Sequence, residues 1–277
     1  MTGKLGAGPA LASSTGVPDK HIFRGSEGGK DIIPLWRDAS ATQSNMTKGL
    51  GTVIGKSLGI VAPDVEELAA YVYALLSASA YQRRFAVALQ TPGLRVPITA
   101  KSSLWNEAVA AGRELIWLHS YAERFGDEAA GRGSTVPPVD GVEWLVSVTK
   151  LPENMADIKY DPETGYLTIG DGVVSGVRPE VWSYQVSGMV VMRKWLGYRT
   201  RKGTGKAASS SSGLDKIRPT AWADEWNDEL LDLIRVLTIT LDRQPILEDL
   251  LDRICSEALL ETALLPVPDI KERSVPK

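Results

Sequence analysis

The spacing of hydrophobic positions changes twice along the chain, from helical to alternating and back to helical. After residue 63, Leu68, Tyr71, Val72, Leu75 and Leu76 fall on one stripe, as in an amphipathic helix. Asp64 stands where an N-cap belongs, and Glu66 and Glu67 suit the positive end of the helix dipole. The pattern predicts a helix from Asp64 through Tyr81–Phe85 to Leu89, ended by Pro92-Gly93. A second long helix is predicted from Ser102 or Ser103 to about Arg124, with Leu104, Ala108, Leu115 and His119 on one face. His119, between Leu118 and Tyr121, reads as a hydrogen-bonded core histidine, with a functional histidine as the alternative.

The spacing then drops to two. Val142, Trp144, Val146 and Val148 alternate with mostly polar neighbours, as a half-buried strand requires. Ile158–Tyr160 and Tyr166–Ile169 flank a turn-rich loop, Asp161–Gly165, and predict a hairpin. Upstream, Ile22-Phe23 and Ile32–Trp36 enclose the Gly-rich turn Gly25–Gly29 and predict another. Residues 38–60 are polar and Gly-spaced and read as a connection with one turn of structure. Helical spacing returns in two acidic helices, one from Thr220 or Trp222 to Leu241 and one from about Pro245 to Leu264. The expected fold class is α+β: a helix-rich domain with a small antiparallel β section (hairpins near 22–36 and 142–170) and acidic C-terminal helices. Residues 1–20, rich in Gly, Ala, Ser and Pro, read as an arm or cut linker, and 21–277 as a single domain.

Between the β section and the acidic helices lies the stretch on which the functional reading turns, residues 182–213. Ser187 is the expected N-cap of a short helix whose apolar face is Val191, Trp195 and Tyr198, with Met192 and Leu196 alongside. The chain then leaves the core through Tyr198–Arg201 into a Gly/Ser-rich loop. No acidic residue occurs between Glu180 and Asp215, whereas Arg193, Lys194, Arg199, Arg201, Lys202 and Lys206 all fall in that gap. A cationic run without internal counter-charge suits contact with a polyanion; a solvated loop is the alternative. Arg199, where helix hands over to loop, is expected to keep its guanidinium solvated and able to reach a guanine edge.

Net charge, at −3, carries no global basic signal, but its distribution is polarised. From Trp222 to Glu261 there are eleven acidic residues against Arg235, Arg243 and Arg253, so negative charge gathers in the C-terminal helices. A protein divided in this way can hold DNA on one face. The lone Cys255 excludes an internal disulfide and fits a reducing cytoplasm. Neither a signal peptide nor a membrane-spanning run is legible, so the expectation is a soluble cytoplasmic protein.

Catalytic constellations are missing from the sequence. Two histidines far apart and no CxxC give no metal set. Cys255 lies in acidic surroundings that disfavour a thiolate. Asp157-Ile158-Lys159 imitates a fragment of a nuclease signature, too short to carry weight. No Gly-rich strand-to-helix loop for a nucleotide-like cofactor is present, and the sole Pro-Pro, Pro137-Pro138, is preceded by Val136 rather than asparagine.

Several blocks, in order, resemble the C-terminal specificity domain of type ISP restriction–modification enzymes. They are FRGSEGGKDIIPLWR, AAYVYALLSASAYQRRF, PGLRVPIT, GRELIWLHSYAERF, IKYDPETGYLTIG and PEVWSYQVSGMVVMRKWLGYR, followed by the basic Gly/Ser loop and an acidic helix. The resemblance runs from His21 to about Pro268. It implies a target-recognition domain that binds double-stranded DNA and directs N6-adenine methylation by a methyltransferase module in cis or in trans. It also implies that S-adenosylmethionine is bound only by that partner module, with no cofactor in this chain. By the same resemblance, Arg24, Ser26 and Lys30 in the N-terminal Gly-rich turn are expected to face DNA. So are Arg193, Lys194, Tyr198, Arg199, Arg201, Lys202, Lys206 and Ser210 further on. A different class of function remains open, a protein-interaction or scaffold module that docks a partner through its acidic C-terminal helices.

Overall fold

The computed structural model describes residues 8–9, 11–15, 32–91, 95–202 and 217–274. The Gly-rich turn at 25–29 lies outside them, so the hairpin expected near 22–36 is described only from Ile32. Among the described residues the helices are α1 (Leu50–Leu58), α2 (Val65–Ser77), α3 (Ser79–Arg84), α4 (Ser102–His119), α5 (Pro179–Trp182), α6 (Val191–Tyr198), α7 (Glu225–Ser256) and α8 (Ile270–Arg273). The strands are β1 (Trp144–Val146), β2 (Ile158–Asp161), β3 (Tyr166–Ile169), β4 (Gly172–Val174), β5 (Gln185–Val186) and β6 (Met189–Val190). The fold is α+β and helix-rich. The chain divides into two compact units, each with its own core: Pro9–Arg132 with Gln244–Lys277, and Gly133–Arg243. No helix among the described residues is long and apolar enough to cross a membrane.

In the first unit α2 starts as its sequence dictates. Asp64 Oδ1 accepts from the Glu67 amide at 2.8 Å, and the Glu67 carboxylate accepts from the Asp64 amide at 3.4 Å, a reciprocal capping box. The helix does not run on to Leu89. Ala78 is extended (ψ 121°) and divides α2 from α3. The Gln244 carboxamide satisfies the break, accepting from the Ser79 amide at 2.8 Å and donating to the Ser77 carbonyl at 3.1 Å. Tyr71 stacks on Trp105 with centroids 4.4 Å apart, and its hydroxyl donates to the Pro97 carbonyl at 2.8 Å.

Residues 38–60 are not merely a connection, for α1 occupies 50–58. A Cβ on Gly51 would lie 2.3 Å from the Pro63 carbonyl oxygen, and one on Gly55 2.8 Å from Ala62 Cα. The glycines that suggested a loop are there to let a helix touch the following backbone.

In the second unit β1–β4 form an antiparallel sheet in the order β1-β4-β3-β2. The expected hairpin is present with Ile158 opposite Ile169 and Asp161 opposite Tyr166. Ile158, Leu167, Ile169 and Val174 are buried with Leu230, Leu233, Ile234 and Leu237 of α7. The two expected C-terminal helices are one, α7, with Pro245 inside it. Proline removes a single amide donor, and buried leucines on both sides of it, Leu237 and Leu247, outweigh that local penalty.

Candidate nucleic-acid interface

Three short elements position the cationic stretch. Ser187 does not cap a helix. It and Gly188 carry φ of 51° and 82°, the left-handed pair of a type I′ turn, and they join β5 to β6 with Gln185 opposite Val190. The hairpin passes directly from Val190 into α6. Met192 and Leu196, four residues apart, are fully buried and anchor that helix. Trp195 is half-buried, while Tyr198, expected on the apolar face, is 57% exposed. The expected face was therefore displaced by part of a turn: the anchor is Met192/Leu196, and Arg193, Lys194 and Tyr198 are exposed.

These exposed groups are braced by aromatic rings. The Arg193 guanidinium lies 5.7 Å from the Trp182 ring centre, and Trp182 stacks on Tyr160 at 5.2 Å. Lys194 Nζ sits 4.8 Å over the ring of Tyr198. Such contacts orient a cation while leaving its outer face to solvent. Among the described residues neither Arg193 nor Lys194 is in an ion pair.

Arg199 behaves differently from the sequence expectation. Its side chain is 19% exposed, with Nη2 held by Glu229 Oε2 at 2.6 Å. Its guanidinium carbon lies 3.7 Å from the Trp195 ring centre and 5.1 Å from that of Trp226. Trp222 meets both of these rings edge-on. Instead of waiting solvated, this guanidinium is a stacked and ion-paired link between α6 and α7. Arg201 and Lys202 are also paired: Glu153 Oε2 lies 3.1 Å from Arg201 Nε, and Oε1 3.3 Å from Lys202 Nζ. The backbone supports this contact, with the Arg201 amide donating to the Pro152 carbonyl at 3.0 Å and the Lys202 amide to the Glu153 carbonyl at 2.9 Å.

The structure thus brings Arg193, Lys194, Tyr198, Arg199, Arg201 and Lys202 together on α6 and its exit. Arg24, Ser26, Lys30, Lys206 and Ser210 lie outside the described residues. The cationic run has no counter-charge within itself, but it finds Glu153 and Glu229 from elsewhere in its unit, partners that nothing in the local sequence announces.

Other candidate chemistry resolves into fold. Asp157 accepts from the Glu153 and Asn154 amides at 2.8 and 3.2 Å, closing a turn. Among the described residues no three His, Cys, Asp or Glu side chains are grouped to hold a metal. Asp171 binds the Thr149 hydroxyl and the Thr149 and Lys150 amides, which pull its pKa down to about 2. His119 Nδ1 lies 2.7 Å from the hydroxyl of the buried Tyr73, so the half-buried histidine is hydrogen-bonded, as read from the sequence. Desolvation pushes its pKa down to about 4. On α7, Glu229, Asp242, Glu248, Asp249 and Asp252 pair with Arg199, Arg178, Arg83, Arg253 and Arg84, each within its own unit.

The family described as the Type ISP C-terminal specificity domain matches residues 1–233. No curated protein matches the chain in sequence. Among solved structures, the DrdV–DNA complex superposes with a TM-score of 0.50 at 18% identity, over 83% of this chain and 22% of that one. A nuclease-deletion mutant of the Type ISP restriction–modification enzyme LlaGI, bound to a DNA substrate mimic, gives a TM-score of 0.44 at 19% identity, over 69% of this chain and 14% of the other. The ATP-dependent Type ISP enzyme LlaBIII bound to DNA gives 0.45 at 16% identity, over 68% and 11%. The chain therefore spans less than a quarter of the length of each.

Proposed function

This chain belongs to the family of Type ISP C-terminal specificity domains, and we propose that it recognises a duplex DNA target on behalf of catalytic modules carried elsewhere. The observation that carries the reading is the build of α6. Two fully buried side chains, Met192 and Leu196, fix the helix, and Arg193, Lys194 and Tyr198 are presented on its open side. With its side chains an α-helix such as α6 is about 10–12 Å across, a diameter that the major groove, about 12 Å wide, admits. Arg193 can offer its fork to a phosphate or a guanine edge, and Lys194 a point charge to a phosphate. Tyr198 adds an exposed ring and a hydroxyl beside them.

The partner in this reading is a DNA adenine methyltransferase module, in cis or in trans, that binds S-adenosylmethionine and supplies the methyl group. Two features of this chain support placing the donor there. At the strand-to-helix connection 175–178, a Cβ on Gly176 would lie 2.4 Å from the Gly141 carbonyl oxygen, so that turn is filled by protein. At the other strand-to-helix junction among the described residues, β6 continues into α6 with no loop between them. Among the described residues, neither junction is an open Gly-rich loop of the Rossmann kind.

The test is equilibrium binding of the 277-residue chain to target and scrambled duplexes across a salt series. Replacing Arg193 and Lys194 by alanine should lower affinity and flatten the log–log salt dependence by roughly one for each lost phosphate contact. Melting should stay at the parent temperature, because both side chains are exposed. Unchanged affinity and slope would remove α6 from the interface.

A further inference from the structure

We infer that Glu153 competes with DNA for this chain's own cations: its carboxylate neutralises Arg201 and Lys202 in the free protein, and DNA phosphate must displace it. The inference rests on the DNA-reading role proposed above. Three observations support it. Each oxygen of Glu153 is committed to a different cation, Oε2 to Arg201 Nε at 3.1 Å and Oε1 to Lys202 Nζ at 3.3 Å. All three side chains are about half exposed or more, at 45% for Glu153, 48% for Arg201 and 66% for Lys202, so a phosphate can reach the same cations. Finally, the carboxylate is not needed to hold the segment in place. The Arg201 and Lys202 amides are already bound by the Pro152 and Glu153 carbonyls, and Arg201 Nη2 also donates to the Thr220 carbonyl at 3.4 Å.

A carboxylate in that position acts on binding in one direction. Non-specific affinity depends on how many cations meet phosphates and release counterions. Two cations already neutralised contribute little unless phosphate displaces the carboxylate, and on any duplex that exchange costs the two ion pairs. Glu153 thereby lowers affinity for duplex DNA through a competing contact within the chain, and a complex that completes the exchange bears its full cost.

The experiment is binding of the full chain and of Glu153→Gln to target and scrambled duplexes across a salt series, with thermal melting as the check on folding. Each exposed ion pair is worth up to about fivefold, so the variant should bind scrambled duplex about threefold to tenfold more tightly. Its salt slope should steepen by up to about two, at roughly 0.9 per phosphate. Target affinity should rise by at least as much, and the gain should vanish when Arg201 and Lys202 are both glutamine. Glu163→Gln, on the exposed loop between β2 and β3, makes the same change in net charge and should give a smaller gain. Glu153→Ala repeats the test without the amide. Unchanged or weaker binding of both variants, or a gain matched by Glu163→Gln, overturns the role of Glu153 while leaving DNA recognition intact. A parent chain that binds no duplex overturns both.

Discussion

Replacing Arg199 by alanine should unfasten α6 from α7. The guanidinium pairs with Glu229 at 2.6 Å, donates from Nη1 to the Trp195 carbonyl at 3.3 Å, and stacks 3.7 Å from the centre of Trp195 and 5.1 Å from that of Trp226. A hydrogen bond to a charged group contributes about 1.5–3 kcal/mol when well buried. Glu229 is 46% exposed, so solvent screening reduces that to about 1 kcal/mol. Cation–π stacking adds about 0.5–1 kcal/mol for the nearer ring and less for the farther one. The hydrogen bond to the Trp195 carbonyl adds about 0.5–1 kcal/mol, for an expected loss of about 2–3 kcal/mol. For a chain this long, each kcal/mol lowers the melting temperature by roughly 2–4 °C, so the shift should be on the order of 5–10 °C.

The assay is thermal melting by circular dichroism for Arg199→Ala, Arg199→Lys and Glu229→Gln. Lysine keeps the charge but loses the planar stack and should fall between parent and alanine. Glu229→Gln should cost only about 1 kcal/mol, because the guanidinium keeps both rings. Binding measured well below the transition should change equally for target and scrambled DNA. An Arg199→Ala chain that melts like the parent would refute the linking role, and a selective loss on target DNA would return this residue to base reading.

Three further outcomes are expected. Leu196→Ala should destabilise by about 2–5 kcal/mol, because that side chain is fully buried, whereas Tyr198→Ala should melt like the parent; equal melting of the two variants would show that the face of α6 is misassigned. Gln244→Ala should cost about 1–3 kcal/mol in chemical denaturation, since the Ser79 amide and the Ser77 carbonyl lose their partners at the α2/α3 break; no loss would mean that water replaces the carboxamide freely. His119, at about 4 in the folded protein against 6.5 in the unfolded chain, is protonated first in the unfolded state. Stability should therefore fall as pH drops from about 6.5 to about 4, by at most about 1.4 kcal/mol per pH unit from this group. His119→Gln should flatten that part of the stability curve, and an unchanged curve would show that the imidazole does not titrate abnormally.

Wherever a short stretch contains its own partners, the sequence alone determined the structure. Asp64 and Glu67 are three residues apart and cap each other, so the start of α2 was legible. The β2/β3 hairpin was legible because its strands and its Gly165-ended loop are contiguous. That His119 is hydrogen-bonded beside the core could be read from its apolar neighbours, and the ordered blocks from His21 onward carried the family resemblance. The remaining features depended on partners distant in the chain. Gly51 and Gly55 look like loop residues until the backbone at 62–63 closes against them. Pro245 looks like a helix end, because the apolar burial on both sides that holds α7 together is a tertiary quantity. Ser187 looks like an N-cap because a type I′ turn depends on φ, which a serine does not announce. The cationic stretch had the right residues but the wrong electrostatics. Coulomb interaction depends on distance in space, and Glu153 and Glu229 reach Arg201, Lys202 and Arg199 only after the sheet and α7 have packed.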